Sequence, residues 1–189
     1  DHGRNPFIAA FLLNPLDGEF YRSMSIDQNA KSEIAGYFGG CWGIYGLHLP
    51  GDFRSFETWT GAKRLTIGPP AYLDRPIYQY AYESLRFFDF YLKGINTGLE
   101  DEEPVQLFIE GSGEWKAASE WPLAETRWTP FYLHAGGLLS EHEFWPNEGA
   151  TTYEDTAFHH GAVEFRTPPL RENTEICGSL SSLSRVVIV

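Results

Sequence analysis

With 189 residues, 42% of them apolar and 16% aromatic, the chain has material for a real core, which excludes intrinsic disorder and fits one domain or two small ones. Its 14 Lys and Arg stand against 26 Asp and Glu, a net charge of -12 that repels phosphate backbones and anionic lipid, so neither nucleic acid nor membrane is an expected partner. No apolar run is long enough for a membrane span. Cys41 and Cys177 stand in no metal-ligand or redox spacing, and two core thiols are expected rather than a disulfide. The opening DHGRNPF carries no initiator Met, basic segment or signal-like stretch, so it reads as a trimmed or partial product. That leaves secretion open, with the cytoplasm as the default expectation.

In chain order, the apolar Ile8 to Leu13 fits either a short helix or a strand, and Pro15, Asp17 and Gly18 then form a turn. From Ile34, IAGYFGGCWGIYG reads as a buried strand running into a tight, glycine-rich loop. Asp52 to Trp59 predicts a short helix with Phe53, Phe56 and Trp59 on one side, and Arg64 to Ile67 a second strand ended by Gly68, Pro69 and Pro70. The longest helical pattern follows, from Leu73 to Gly94. Ile77, Ala81, Leu85, Phe88 and Leu92 recur at helical spacing, flanked by Tyr80, Ser84, Phe87 and Tyr91. Pro76 suits the first turn and Gly94 a left-handed stop. The stripe is expected to be buried, against Tyr37, Phe38 and Trp59.

Strand, short helix, strand, long helix is the order of a parallel sheet with crossover helices, but two strands are too few for an independent one. Ile95 to Pro104 then brings four successive acids, Glu100 to Glu103, which reads as a solvated linker rather than a calcium site. Beyond it the period drops to two. Val105, Leu107 and Ile109 alternate with Gln106, Phe108 and Glu110, and short strands are expected at Phe131 to Gly137, Ala162 to Arg166, Glu175 to Cys177 and Val186 to Val189. Many short strands divided by Gly and Pro suggest an antiparallel sandwich, incomplete where the chain stops at RVVIV.

The run from Ser84 to Leu123 resembles a junction found in CocE/NonD-type serine hydrolases, the cocaine esterase and X-prolyl dipeptidyl peptidase group. Its FFDxxLKG pattern is Phe87, Phe88, Asp89, Leu92, Lys93 and Gly94, and its PVxLFxxG strand is Pro104, Val105, Leu107, Phe108 and Gly111. Trp115, Trp121 and Pro122 match its W…EWPL segment, Tyr132 to Ser140 its YLHxxGxLS strand and turn, and Phe165 to Leu180 a later strand approach. The resemblance implies α/β plus all-β architecture: residues 1–94 as the C-terminal portion of an α/β-hydrolase domain, 95–104 as an acidic linker, and 105–189 as a partial jelly-roll, galactose-binding-like sandwich.

It also implies a Ser, Asp, His triad, and the chain departs from that. No GxSxG or GxSxxG nucleophile elbow precedes the matching region. The acid's GGWxD context matches Gly39 to Gly51 and places the acid on Ile44, or on Gly43 one register away. The histidine position falls on Ile67, or under a second alignment on Ala71 or Tyr72. None of these can move a proton in a triad's role. Asp52 and Asp74, the nearest acids, read as a helix cap and as a charge at a helix start. His48 is a weak ligand-contacting candidate, placed just past a strand end. His134, His142, His159 and His160 fall in no zinc-ligand pattern, and no metal or other cofactor is expected.

The function implied is hydrolysis of a small ester or an X-Pro peptide by the complete protein, with this chain inactive alone. Its expected partner is missing N-terminal hydrolase sequence, or another copy of itself. Two alternatives stand beside that reading. One is a non-catalytic scaffold derived from the family; the other is a carbohydrate-binding sandwich using Trp115, Trp121, Trp128 and Trp145, residues for which core packing is the plainer role.

Overall fold

A computed structural model describes residues 6–25, 32–44, 48–69, 76–143, 149–156 and 159–178. They divide into two compact units, Asp1–Trp121 and Pro122–Val189.

The first unit opens with two short helices. The ambiguous apolar run is α1, Pro6–Leu13, in which Phe7 meets Phe11 edge-to-face at 4.5 Å across one helical turn. Asn14 ends it by donating from Nδ2 to the Ala10 carbonyl, and the Tyr21 hydroxyl from α2, Glu19–Met24, donates to the Asn14 carbonyl.

A four-stranded sheet then forms from β1 (Gly36–Cys41), β2 (Lys63–Gly68), β3 (Val105–Ile109) and β4 (Glu114–Ala118), in that spatial order. The first three strands are mutually parallel, and β4 returns antiparallel to β3. Parallel neighbours need a crossover, supplied by α3 (Leu49–Thr58) between β1 and β2 and by α4 (Pro76–Lys93) between β2 and β3. The β3–β4 hairpin needs only a tight turn, and Gly113 there has φ 73°, a conformation costly to any residue with a Cβ.

Residues alternate between the two faces of the sheet. Phe38 meets Phe56 of α3, while its neighbour Tyr37 stacks on Phe87 of α4 at 5.5 Å, so the two helices cover opposite faces. The α3 face is the core. Leu65, Ile67, Val105 and Leu107 are fully buried in adjacent registers, above Leu49 and Phe56. Each contributes about 1.5–3 kcal/mol on leaving water. The α4 face is polar, with Arg64 paired across the strands to Tyr37 and Thr66 to Gln106.

This topology overturns the expected jelly-roll sandwich. The strand expected to open it, β3, instead hydrogen-bonds beside β2 as the third parallel strand, and β4 extends the same sheet. The physical reason is the crossover: α4 and the acidic stretch after it return the chain to the start of the sheet, where the Leu65 amide donates to the Pro104 carbonyl at 2.8 Å. Period-two alternation marks a strand with two unlike faces, and a mixed sheet satisfies it as well as a sandwich does.

The docking face of α4 also differs from expectation. Helix and stop are as read, with Gly94 left-handed at φ 67°. The stripe through Ala81, Leu85, Phe88 and Leu92, however, is exposed, and Phe87 on the flank is buried. Of the expected partners only Tyr37 faces α4. Phe38 and Trp59 pack against each other at 5.5 Å, with Phe38 turned to the α3 face.

Among its described residues the second unit holds two short antiparallel pairs. β5 (Tyr132–His134) pairs with β6 (Leu138–Ser140), and β7 (Asp155–Thr156) with β8 (His159–His160). Gly136 and Gly137 make the β5–β6 turn at φ 80° and 78°. Of the stretch expected as a strand from Ala162, only Arg166 forms a bridge, to Leu138, while Glu175 to Cys177 is irregular. Val186 to Val189 lies outside the described residues. No sandwich topology occurs among the described strands.

Candidate functional site

In sheets with parallel strands, ligands and reacting groups gather at the strands' carboxyl ends, because the loops there leave the sheet on alternate sides. The carboxyl end of β1 is therefore where chemistry would be built. Cys41 is buried there, and a 3₁₀ turn, Trp42–Ile44, follows directly. The Trp42 indole donates from Nε1 to the Phe108 carbonyl at 2.6 Å, which fixes the turn against the end of β3.

His48 precedes α3 and is exposed. Its carbonyl accepts from the amides of Gly51 and Asp52, so it starts the helix through its backbone rather than its ring. Asp52 lies in the first turn of α3 and is not the capping residue. Its carboxylate is pressed against β1: a Cβ added to Gly40 would lie 2.7 Å from Asp52 Oδ2 and 2.9 Å from Leu49 Cδ1. Only glycine leaves room for this approach. Burial pushes the Asp52 carboxyl up to about 6 from an ordinary 3.8, against the opposing pull of His48. A half-buried acid one helical turn from an imidazole is thus the titratable pair at the end of β1. The sequence signal for it is the i, i+4 spacing of His48 and Asp52 shortly after a strand that carries glycine at position 40.

The residues expected at the triad positions occupy different settings. Ile44 ends the 3₁₀ turn after β1. Ile67 is fully buried in β2, paired with Gly40 on one side and Leu107 on the other, and serves as core. Tyr72, Ala71 and Asp74 lie outside the described residues. His134 is buried and exchanges a hydrogen bond with Ser140 Oγ at 2.9 Å across its hairpin, a structural role. Among the described residues no group of three His, Cys, Asp or Glu is arranged to hold a metal. Nor is any described helix long and apolar enough to cross a membrane.

A second polar centre lies on the α4 face of the sheet. Arg64 donates to the carbonyls of Leu99 and Glu103 and to Glu102 Oε2 at 3.2 Å. Arg86 of α4 donates to Glu102 Oε1 at 2.6 Å, to both oxygens of Glu83 and to the Thr97 carbonyl. The hydrogen bond that Arg86 donates to Glu102 raises the Arg86 pKa further, fixing its charge. Tyr37 donates to Thr66 Oγ1 at 3.1 Å, and burial holds its phenol above the ordinary range, so it stays a neutral donor. The acidic run thus supplies the carboxylate that joins two arginines, a role invisible when it is read as linker.

Trp121 is buried and stacked on Phe53 at 4.3 Å, and Trp145 lies outside the described residues. Trp115 and Trp128 are exposed.

Sequence and structure comparison find the chain similar to CocE/NonD-type serine hydrolases, at moderate identity over much of its length. No family profile matches it. It is 39% identical to the cocaine esterase of a Rhodococcus species over 65 residues, 34% of this chain and 11% of that protein. A Mycobacterium bovis protein named as a serine esterase is 28% identical over 126 residues, 64% of this chain and 20% of the relative. Among solved structures, a CocE/NonD family hydrolase from Staphylococcus aureus superposes with TM-score 0.60 at 27% identity, covering 72% of this chain and 26% of that one. The chain therefore spans about a fifth or less of the curated relatives it matches.

Proposed function

We propose that the chain is part of a CocE/NonD-like serine hydrolase, whose complete protein cleaves an ester or an N-terminal X-Pro peptide bond, and that these 189 residues are inactive alone. The observation that carries the reading is the superposition on the Staphylococcus aureus hydrolase, which takes in most of this chain and a quarter of that one. Three features support inactivity. No nucleophile elbow occurs in the sequence, the expected acid position falls on Ile44 or Gly43, and the expected histidine position falls on Ile67, which is core, or on Ala71 or Tyr72. A nucleophile without its base, or a base without its nucleophile, recovers little of a triad's rate. His48 and Asp52 at the end of β1 are what remains to contact a substrate. The outer edge of β1, which has no strand partner among the described residues, supports a partner there. That partner is further hydrolase sequence, or a second copy of the chain.

The test is turnover of nitrophenyl esters and X-Pro nitroanilides by the purified chain. Hydrolysis at the buffer rate is expected. Saturable turnover that persists through purification would overturn the assignment.

A further inference from the structure

The polar centre on the α4 face borders a cavity of about 370 Å³, within the size range of small-molecule sites. Its floor is Thr66 and Gln106 from β2 and β3, and its wall is Trp115 from β4. The rim is the ion network, in which Glu83, Arg86 and Glu102 hold one another. The functional reading above uses none of these groups. We infer that this cavity is a binding site for a neutral saccharide, with Trp115 as the stacking surface and Gln106 and the rim carboxylates as hydroxyl partners.

The ligand class follows from what the lining offers. Both guanidiniums are already committed to Glu83, Glu102 and backbone carbonyls, and the chain carries a net charge of -12, so an anion finds no unneutralised cation and meets repulsion. The carboxylates are likewise matched by the arginines, which removes the attraction for a cation. An apolar aromatic ligand would bury polar groups against carbon on every side but one, a desolvation cost with no return.

A pyranose has the complementary shape. One face presents C–H groups, which suit the electron-rich face of an indole, and its rim presents hydroxyls that both donate and accept. Trp115 is 41% exposed while its ring is fixed edge-to-face on Phe108 at 5.6 Å, so one surface remains available and little motion is lost on binding. The Glu83 and Glu102 oxygens keep acceptor capacity beyond their arginine contacts, since an ionised carboxylate offers about four lone-pair sites. The Gln106 amide is oriented by donating from Nε2 to the Glu103 carbonyl at 3.1 Å, which leaves its oxygen as an acceptor. These groups are held before a ligand arrives, which is what allows a small polar molecule to bind at all.

The experiment is saturation-transfer NMR on the 189-residue chain with methyl glucoside, methyl galactoside and N-acetylglucosamine, with Kd then measured by titration. At least one of the three is expected to bind with Kd on the order of 1 mM, as a few hydrogen bonds and one stacking contact allow. Trp115→Ala should weaken binding about two- to tenfold, the scale of one lost aromatic contact. Trp128→Ala, which removes an exposed indole from the other compact unit, should leave it unchanged. Should Trp115→Ala lose its fold, Gln106→Ala decides the matter, and a several-fold loss is expected. Absence of transfer to all three sugars, unchanged affinity in both pocket variants, or equal loss in Trp128→Ala overturns the inference. Because none of these readouts involves hydrolysis, they stand or fall apart from the proposed function.

Discussion

Helix α4 offers two adjacent phenylalanines in opposite environments, and they can be used against each other. Phe87 is 4% exposed, stacked on Tyr37 at 5.5 Å and tilted against Tyr91 at 4.7 Å, whereas Phe88 is 52% exposed. Phe87→Ala removes a buried ring and leaves a cavity between helix and sheet, a change that costs about 3–5 kcal/mol. Of that, about 0.5–1.5 kcal/mol is the aromatic pairing itself. Phe88→Ala gives up only the buried half of a ring and opens no cavity, so about 1 kcal/mol is expected. Urea denaturation followed by tryptophan fluorescence measures both, provided the slope of each transition stays constant so that midpoints compare directly. Equal losses, or a larger loss for Phe88→Ala, would refute the docking face and return the stripe of Leu85, Phe88 and Leu92 to the core.

Two further outcomes follow from close approaches in the same unit. Gly61→Ala would place a Cβ 2.5 Å from the Ile34 carbonyl oxygen and 2.9 Å from that of Ser32, both backbone atoms that cannot swing away. A loss of about 1–3 kcal/mol is expected in the same denaturation assay, and an unchanged midpoint would show that the segment before β1 is placed differently. The Asp52 carboxyl binds its proton more tightly folded, at about 6, than unfolded, at about 3.8. The native state thus holds more protons between those values, so this residue's contribution to stability is full at low pH and is lost as pH rises through that window. Asp52→Asn should flatten the dependence of the urea midpoint on pH there, and a slope identical to that of the parent chain would contradict the burial argument.

What the sequence made legible was local. The positions of β1, α3, β2 and α4 follow from short-range signals, such as Pro76 and Gly94 at the ends of α4 and the alternation of Leu65 and Ile67. The assignment of strands to sheets was not legible, because it depends on where α4 delivers the chain. Val105 and Leu107 are equally well buried in a sandwich or beside β2, and only the pairing of Leu65 with Val105 decides. The buried side of α4 was misjudged for a related reason. Its stripe of aliphatic residues is the stronger periodic signal, but the sheet face it meets carries Tyr37, Arg64 and Thr66, which select a flank where Phe87, Glu83 and Arg86 can answer them. At the candidate site, His48 was visible from its place after a strand. Asp52 was read as a cap, because its contact with Gly40 exists only once α3 lies back across β1.

The most direct test of the central claim, that this chain carries homology to serine hydrolases without a working triad of its own, is fluorophosphonate labelling followed by intact mass measurement. The reagent bonds only to a serine whose hydroxyl is activated by a neighbouring base. The account predicts a single unmodified mass after prolonged exposure, alongside full labelling of a control serine hydrolase in the same tube. Stoichiometric addition of one phosphonyl group, mapped to one serine of this chain, would contradict it.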